Sequence, residues 1–69
     1  MNKYIIPYYD SVESEVDNHV IIATSLTNCK EKLMSMYEDF STSDDWKTFL
    51  HDLAENGILI GKITDVEEL

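Results

Sequence analysis

Apolar residues fall along this chain in two different rhythms. Residues 3–9 (KYIIPYY), 19–24 (HVIIAT) and 58–63 (ILIGKI) are short runs rich in Ile, Val and Tyr, the composition of strands. Between them, Leu26, Cys29, Leu33, Met36 or Tyr37, and Phe40 recur at three- and four-residue steps. Trp46, Phe49, Leu50 and Leu53 repeat the same spacing. Each of these sets is one apolar stripe on an amphipathic helix.

The flanking residues place the ends. Ser25 is a good N-cap for the first helix, with Asn28 at N3. Ser41 or Ser43 is expected to cap the second, which would put Asp44 and Asp45 in its first turn, where the helix dipole favours anions. Asn56-Gly57 supplies a left-handed C-cap. Residues 10–18 (DSVESEVDN) are polar and read as a loop or frayed hairpin tip. Val12 and Val16 alternate with the acids there, so strand extensions around a tight turn at residues 13–15 fit as well.

The pattern predicts one α+β domain over residues 1–69 with the order β-β-α-α-β. The expected sheet has three antiparallel strands with both helices on one face. Pro7 cannot donate a ladder hydrogen bond, which points to an edge position for the first strand. The unbroken run from Val20 to Ala23 points to a central second strand, buried on both faces and paired with the third. All three strands carry apolar residues on both sides: Ile5 and Ile6, Ile21 and Ile22, Leu59 and Ile60. Two short helices cover one side only. The other is left as an exposed apolar patch, the mark of an interface, or is covered by Val12, Val16, Val66 and Leu69 from the loop and tail.

With 69 residues the core is thin. Cys29 is the lone cysteine, so no internal disulfide staples it, and no Cys/His set has zinc spacing. A lone Cys with three Met fits a reducing compartment. Residues 4–9 are apolar but broken by Pro7, unlike a signal peptide, and no run reaches bilayer length. The expected location is the cytoplasm of a bacterial host. Arg and Gln are absent and Gly, Ala and Pro scarce, while Ile, Tyr, Asn and Lys abound, a coding bias of AT-rich genomes such as those of low-GC bacteria and their phages.

Charge narrows the function classes most. Fourteen acidic and five basic residues give a net charge of −9. That argues against direct binding of nucleic acid through phosphates and favours a basic partner surface, although solubility alone accounts for acidity of this kind. The acids cluster as Asp10, Glu13, Glu15 and Asp17; as Glu38, Asp39, Asp44 and Asp45; and as Asp65, Glu67 and Glu68. The first two clusters are the candidate partner-binding residues.

Catalytic motifs are lacking. Gly57 and Gly61 form no phosphate loop, and no nucleophile elbow occurs. Cys29 with His19 or His51 as base is conceivable, but its place on an apolar stripe suits a buried inert thiol. His51 and Glu55, four apart, could offer two metal ligands, yet that spacing is ordinary on a solvated helix face and no second half-site accompanies it. The reading is therefore a non-enzyme without cofactor or metal. In size and charge the chain resembles the small acidic inhibitors that phages make, such as uracil-DNA glycosylase inhibitors and several anti-CRISPR proteins. The resemblance covers charge and size and carries over no site. It implies an anti-defence inhibitor that occupies a basic, nucleic-acid-binding surface of a host or defence protein, in the manner of a DNA mimic. The alternative is a structural or assembly module that forms a homodimer through the apolar sheet face.

Overall fold

The computed structural model describes residues 1–66. Strands β1 (Asn2–Asp10) and β2 (Glu15–Ala23) form a long hairpin, followed by helices α1 (Leu26–Met36) and α2 (Trp46–Glu55) and the short strands β3 (Ile58–Ile60) and β4 (Thr64–Asp65). The fold is α+β with an antiparallel sheet in the order β2-β1-β3, and β4 pairs with β1 beyond β3. Glu67 and Glu68, expected in the acidic tail, and Leu69, expected to help cover the sheet, lie outside the described residues.

The hairpin is longer than the apolar runs suggest. Asp10 pairs with Glu15, so both strands continue through the acidic segment and only residues 11–14 turn. Ser14 takes the left-handed conformation there, with φ 55°, and Asp10 Oδ1 accepts from the backbone N–H of Val12 and Glu13. These bonds make the turn affordable to a sequence without glycine at that point.

The strand order differs from expectation. β1, with Pro7, is the central strand, and β2 is an edge whose Val20 and Ile22 are about half exposed. In an antiparallel strand each residue directs its N–H and C=O to one side, alternating along the chain. The carbonyls of Lys3 and Pro7 accept from Val66 and Gly61, so these residues face the β3/β4 side. Pro7's missing donor thus falls opposite residues 61–63, where β3 has ended and β4 has not begun. A proline fits a central strand when its neighbour is interrupted at that point.

The two helices share one direction. Trp46, the first residue of α2, lies under Lys30 near the start of α1, with Nζ 5.0 Å from the ring centroid. At the other end of α2, Gly57 O accepts from Ser11 N in the hairpin turn. Both helices therefore run toward the turn. The nine residues 37–45 carry the chain back. Extended, they reach up to about 30 Å, ample for the roughly 16 Å length of an eleven-residue helix. β3 then starts at the turn, beside Asp10, and pairs antiparallel with β1 rather than β2.

Both helices bury one face against one side of the sheet. Cys29 and Leu33 of α1 and Phe49 and Leu53 of α2 pack with Tyr4, Ile6, Ile21, Ala23 and Ile58 in a single core. Trp46 and Tyr37 are half-buried against it, while Phe40, expected inside, is exposed. Ser25 caps α1 as expected, accepting from Asn28 N. Gly57, with φ 84°, follows the end of α2. The cap of α2 is Asp45, not Ser41 or Ser43, and no acid occupies that helix's first turn.

Among the described residues, nothing covers the opposite side of the sheet. Val16, Val20, Ile22 and Leu59 are exposed there, and so is Val12 in the turn, so the loop does not fold over the face.

Candidate functional site: an acidic groove beside α1

The chain between the helices returns along the flank of α1 and encloses a groove of about 580 Å³ with it. Glu31, Met34 and Ser35 line the helix side; Glu38, Asp39, Ser41, Thr42, Ser43 and Asp44 of the returning segment line the other. Ser41 fixes the returning strand. It is buried, and its Oγ donates to Asp52 Oδ2 of α2 at 2.6 Å. The Ser43 N–H donates to Ser41 Oγ, and Asp45 N–H to Ser43 Oγ. Four carboxylates and several hydroxyls thus surround a concavity with the Met34 thioether on its wall. A lysine or arginine side chain suits it, the charged head among carboxylates and the aliphatic stem against the apolar wall.

Of the second sequence cluster, Glu38, Asp39 and Asp44 line this groove. Asp45 does not. It accepts from Thr48 N and Thr48 Oγ1, and these bonds hold its carboxyl below the usual value, so its role is to start α2. Glu31 belongs to the groove and was not among the sequence candidates. Its signal was available, since Glu31, Ser35 and Glu38 form a polar stripe at helical spacing.

The first cluster gathers on the helix side of the sheet near the hairpin turn. Asp10 and Glu15 are cross-strand partners, and Asp17 pairs with Tyr8 one step further. Burial pushes the Tyr8 hydroxyl up, and Glu15, Asp17 and Asp10 push it further. Asp10 also raises Tyr37, after burial and Tyr8, which relates this cluster to the C-terminal end of α1. Asp17 additionally accepts from Asn18 N, and Glu13 stands exposed in the turn.

Between the two acidic groups lies an aromatic stack. Tyr8 stacks on His19 with centroids 4.3 Å apart, and His19 Nε2 shares a 2.5 Å hydrogen bond with the Tyr37 hydroxyl. Burial lowers the His19 pKa against the opposing pull of Asp17. With the proton on Nδ1 of the neutral ring, Nε2 accepts this bond from the Tyr37 hydroxyl; with the proton on Nε2, it donates.

The other candidates stand apart. Cys29 is fully buried in the core, and burial raises its thiol against the weaker effect of Lys32 and Lys30. A raised thiol is a poor nucleophile. His51, Asp52 and Glu55 bring one potential ligand atom each within 4.8 Å of one another. Asp52 is engaged by Ser41, and His51 and Glu55 are largely exposed with 3.8 Å between Nε2 and Oε2. Among the described residues no helix is long and apolar enough to cross a membrane.

A scan of protein-family models, a search of curated proteins and a search of solved structures each return no match to this chain.

Proposed function

We propose that this protein is a non-catalytic binding module whose carboxylates engage a basic surface of a partner protein, with the groove beside α1 as the centre of contact. The observation that carries this reading is the convergence of Glu31, Glu38, Asp39 and Asp44 on one cavity. The hairpin acids Asp10, Glu15 and Asp17 extend the negative surface past Tyr37. A basic groove built to hold phosphates accepts such a surface, so the partner class is a nucleic-acid enzyme or a defence complex of a bacterial host, and the activity is inhibition by occupancy. The net charge of −9 speeds encounter with a cationic surface.

The test is capture of partners from host lysate at low and high salt, with duplex DNA as competitor. Salt and DNA are both expected to release the partner, because exposed charges are screened over about 8–10 Å at physiological salt. The variant Glu38→Gln/Asp44→Asn is expected to lose capture. Glu13→Gln/Glu15→Gln is expected to slow association with a smaller loss of affinity. A partner that stays bound through high salt and excess DNA would exclude the charge mechanism. Normal capture by Glu38→Gln/Asp44→Asn would move the contact away from the groove.

A further inference from the structure

The geometry points to a second copy of this chain on the open face of the sheet. Cross-strand partners share a face, so the register sorts every strand side chain. Tyr4 and Ile6 point into the core, and with them go Asp10, Glu15, Asp17 and Asp65. The strand carboxylates of the described residues are therefore all on the helix side. The other face carries Ile5, Tyr9, Val16, Val20, Ile22 and Leu59 beside Pro7, Asn18 and Thr64, and among the described strand residues the one charged residue there is Lys3. Val16, Val20, Ile22 and Leu59 are 75%, 57%, 45% and 54% exposed. In a chain of net charge −9 this is a largely apolar face that holds no strand carboxylate among the described residues.

Charge selects the occupant. Two copies of so acidic a chain repel wherever their carboxylates approach. Sheets stacked face to face lie about 10 Å apart, and the acidic helix sides then point outward, a full molecular layer further from each other. The separation exceeds the screening length of about 8 Å at physiological salt. A two-fold axis with the strands of the two copies antiparallel also sets Lys3 of each against the turn carrying Glu13 of the other. At the β2 edge, Lys32 Nζ donates to the outward carbonyl of Ile22 at 2.7 Å, a charged guard at one end of the edge strand. The face offers about half the 20–30 residues of a standard interface, so the dimer is weak and reversible. It leaves both acidic grooves exposed and presents them as a pair.

Analytical ultracentrifugation of the full chain from ~10 μM to ~1 mM tests this in a range where weak pairs form. The mass is expected to rise from 8.0 kDa toward twice that value, and to rise further when salt screens the repulsion. Val20→Glu and Leu59→Glu, at exposed positions, are expected to stay at 8.0 kDa while keeping the parent's circular dichroism and cooperative melt. Val16→Lys serves if either fails to fold, and Asp44→Asn on the helix side is expected to associate like the parent. A chain that stays at 8.0 kDa throughout overturns the proposal. So does association that salt abolishes, or association that survives these face substitutions.

Discussion

Phe49 has no exposed surface, and its ring lies 6.2 Å from Tyr37 and 5.4 Å from Trp46 between centroids. Truncating a buried aromatic costs about 3–5 kcal/mol, and a domain this small has little more to lose. Phe49→Ala is expected to be largely unfolded at room temperature by circular dichroism; a cooperative melt within a few degrees of the parent would remove Phe49 from the core. Helical spacing was enough to find Phe49, Leu53 and Leu33. It misjudged Phe40, because spacing carries no information about where a helix leaves the sheet, and α1 ends at Met36. His19 makes a different kind of contribution. Its pKa is lowered in the folded chain from the ordinary 6.5, chiefly by burial, with Asp17 opposing. The unfolded chain therefore binds the proton more readily than the folded one. The stability tied to neutral His19 is complete above the unfolded value and is lost as pH falls through the folded one. Across pH 7 to 5 the His19→Gln variant is expected to show a shallower change in melting temperature than the parent. Equal slopes would assign the acid sensitivity to other groups.

At the scale of elements, the interrupted neighbour of β1 explains what local sequence could not. Pro7 alone argues for an edge, and that inference fails because the constraint is on one hydrogen-bond side of one residue, not on the strand. The break between β3 and β4 supplies the missing tolerance, and Gly61 is the residue that makes it close. A Cβ at Gly61 would stand 2.8 Å from Pro7 Cγ and 3.3 Å from its carbonyl oxygen. The N–H of Gly61 donates to that same oxygen at 2.7 Å, so the backbone has no room to retreat without losing the bond. Gly61→Ala is expected to lower the melting temperature and to loosen amide exchange protection at residue 61. A variant as stable as the parent would mean that the pyrrolidine ring yields freely. The helices were legible because caps and stripes are local. Their common direction was not, because it depends on how the nine-residue return packs against α1. The groove inherits that blindness: Glu31 and Asp44 are thirteen positions apart, and only the fold-back brings them to one cavity.

Over the whole molecule, the excess of acid acts in opposite senses on folding and on binding. Two of the five lysines are turned elsewhere, Lys32 to the Ile22 carbonyl and Lys30 over Trp46, while Lys47 acts on Asp45. His51 faces Glu55, but that pair is charged only when the imidazole is protonated. Burial raises the Tyr8 hydroxyl, and Glu15, Asp17 and Asp10 add to that, so three carboxylates bear on one group. A compact chain with a net charge of −9 repels itself, and expansion relieves the repulsion. Raising salt from ~20 mM to ~500 mM shortens the screening length from roughly 20 Å to a few ångströms. The isolated chain is therefore expected to melt at a higher temperature as salt rises. Capture of a cationic partner is expected to weaken over the same range, because the attraction is screened along with the repulsion. Calorimetry of the chain alone and partner capture at matched salt concentrations separate the two. A melting temperature that falls with salt would mean that favourable ion pairing, not self-repulsion, dominates the folded surface. In that case the carboxylates would already be satisfied within the chain, and the acidic groove would have little attraction left to offer a partner.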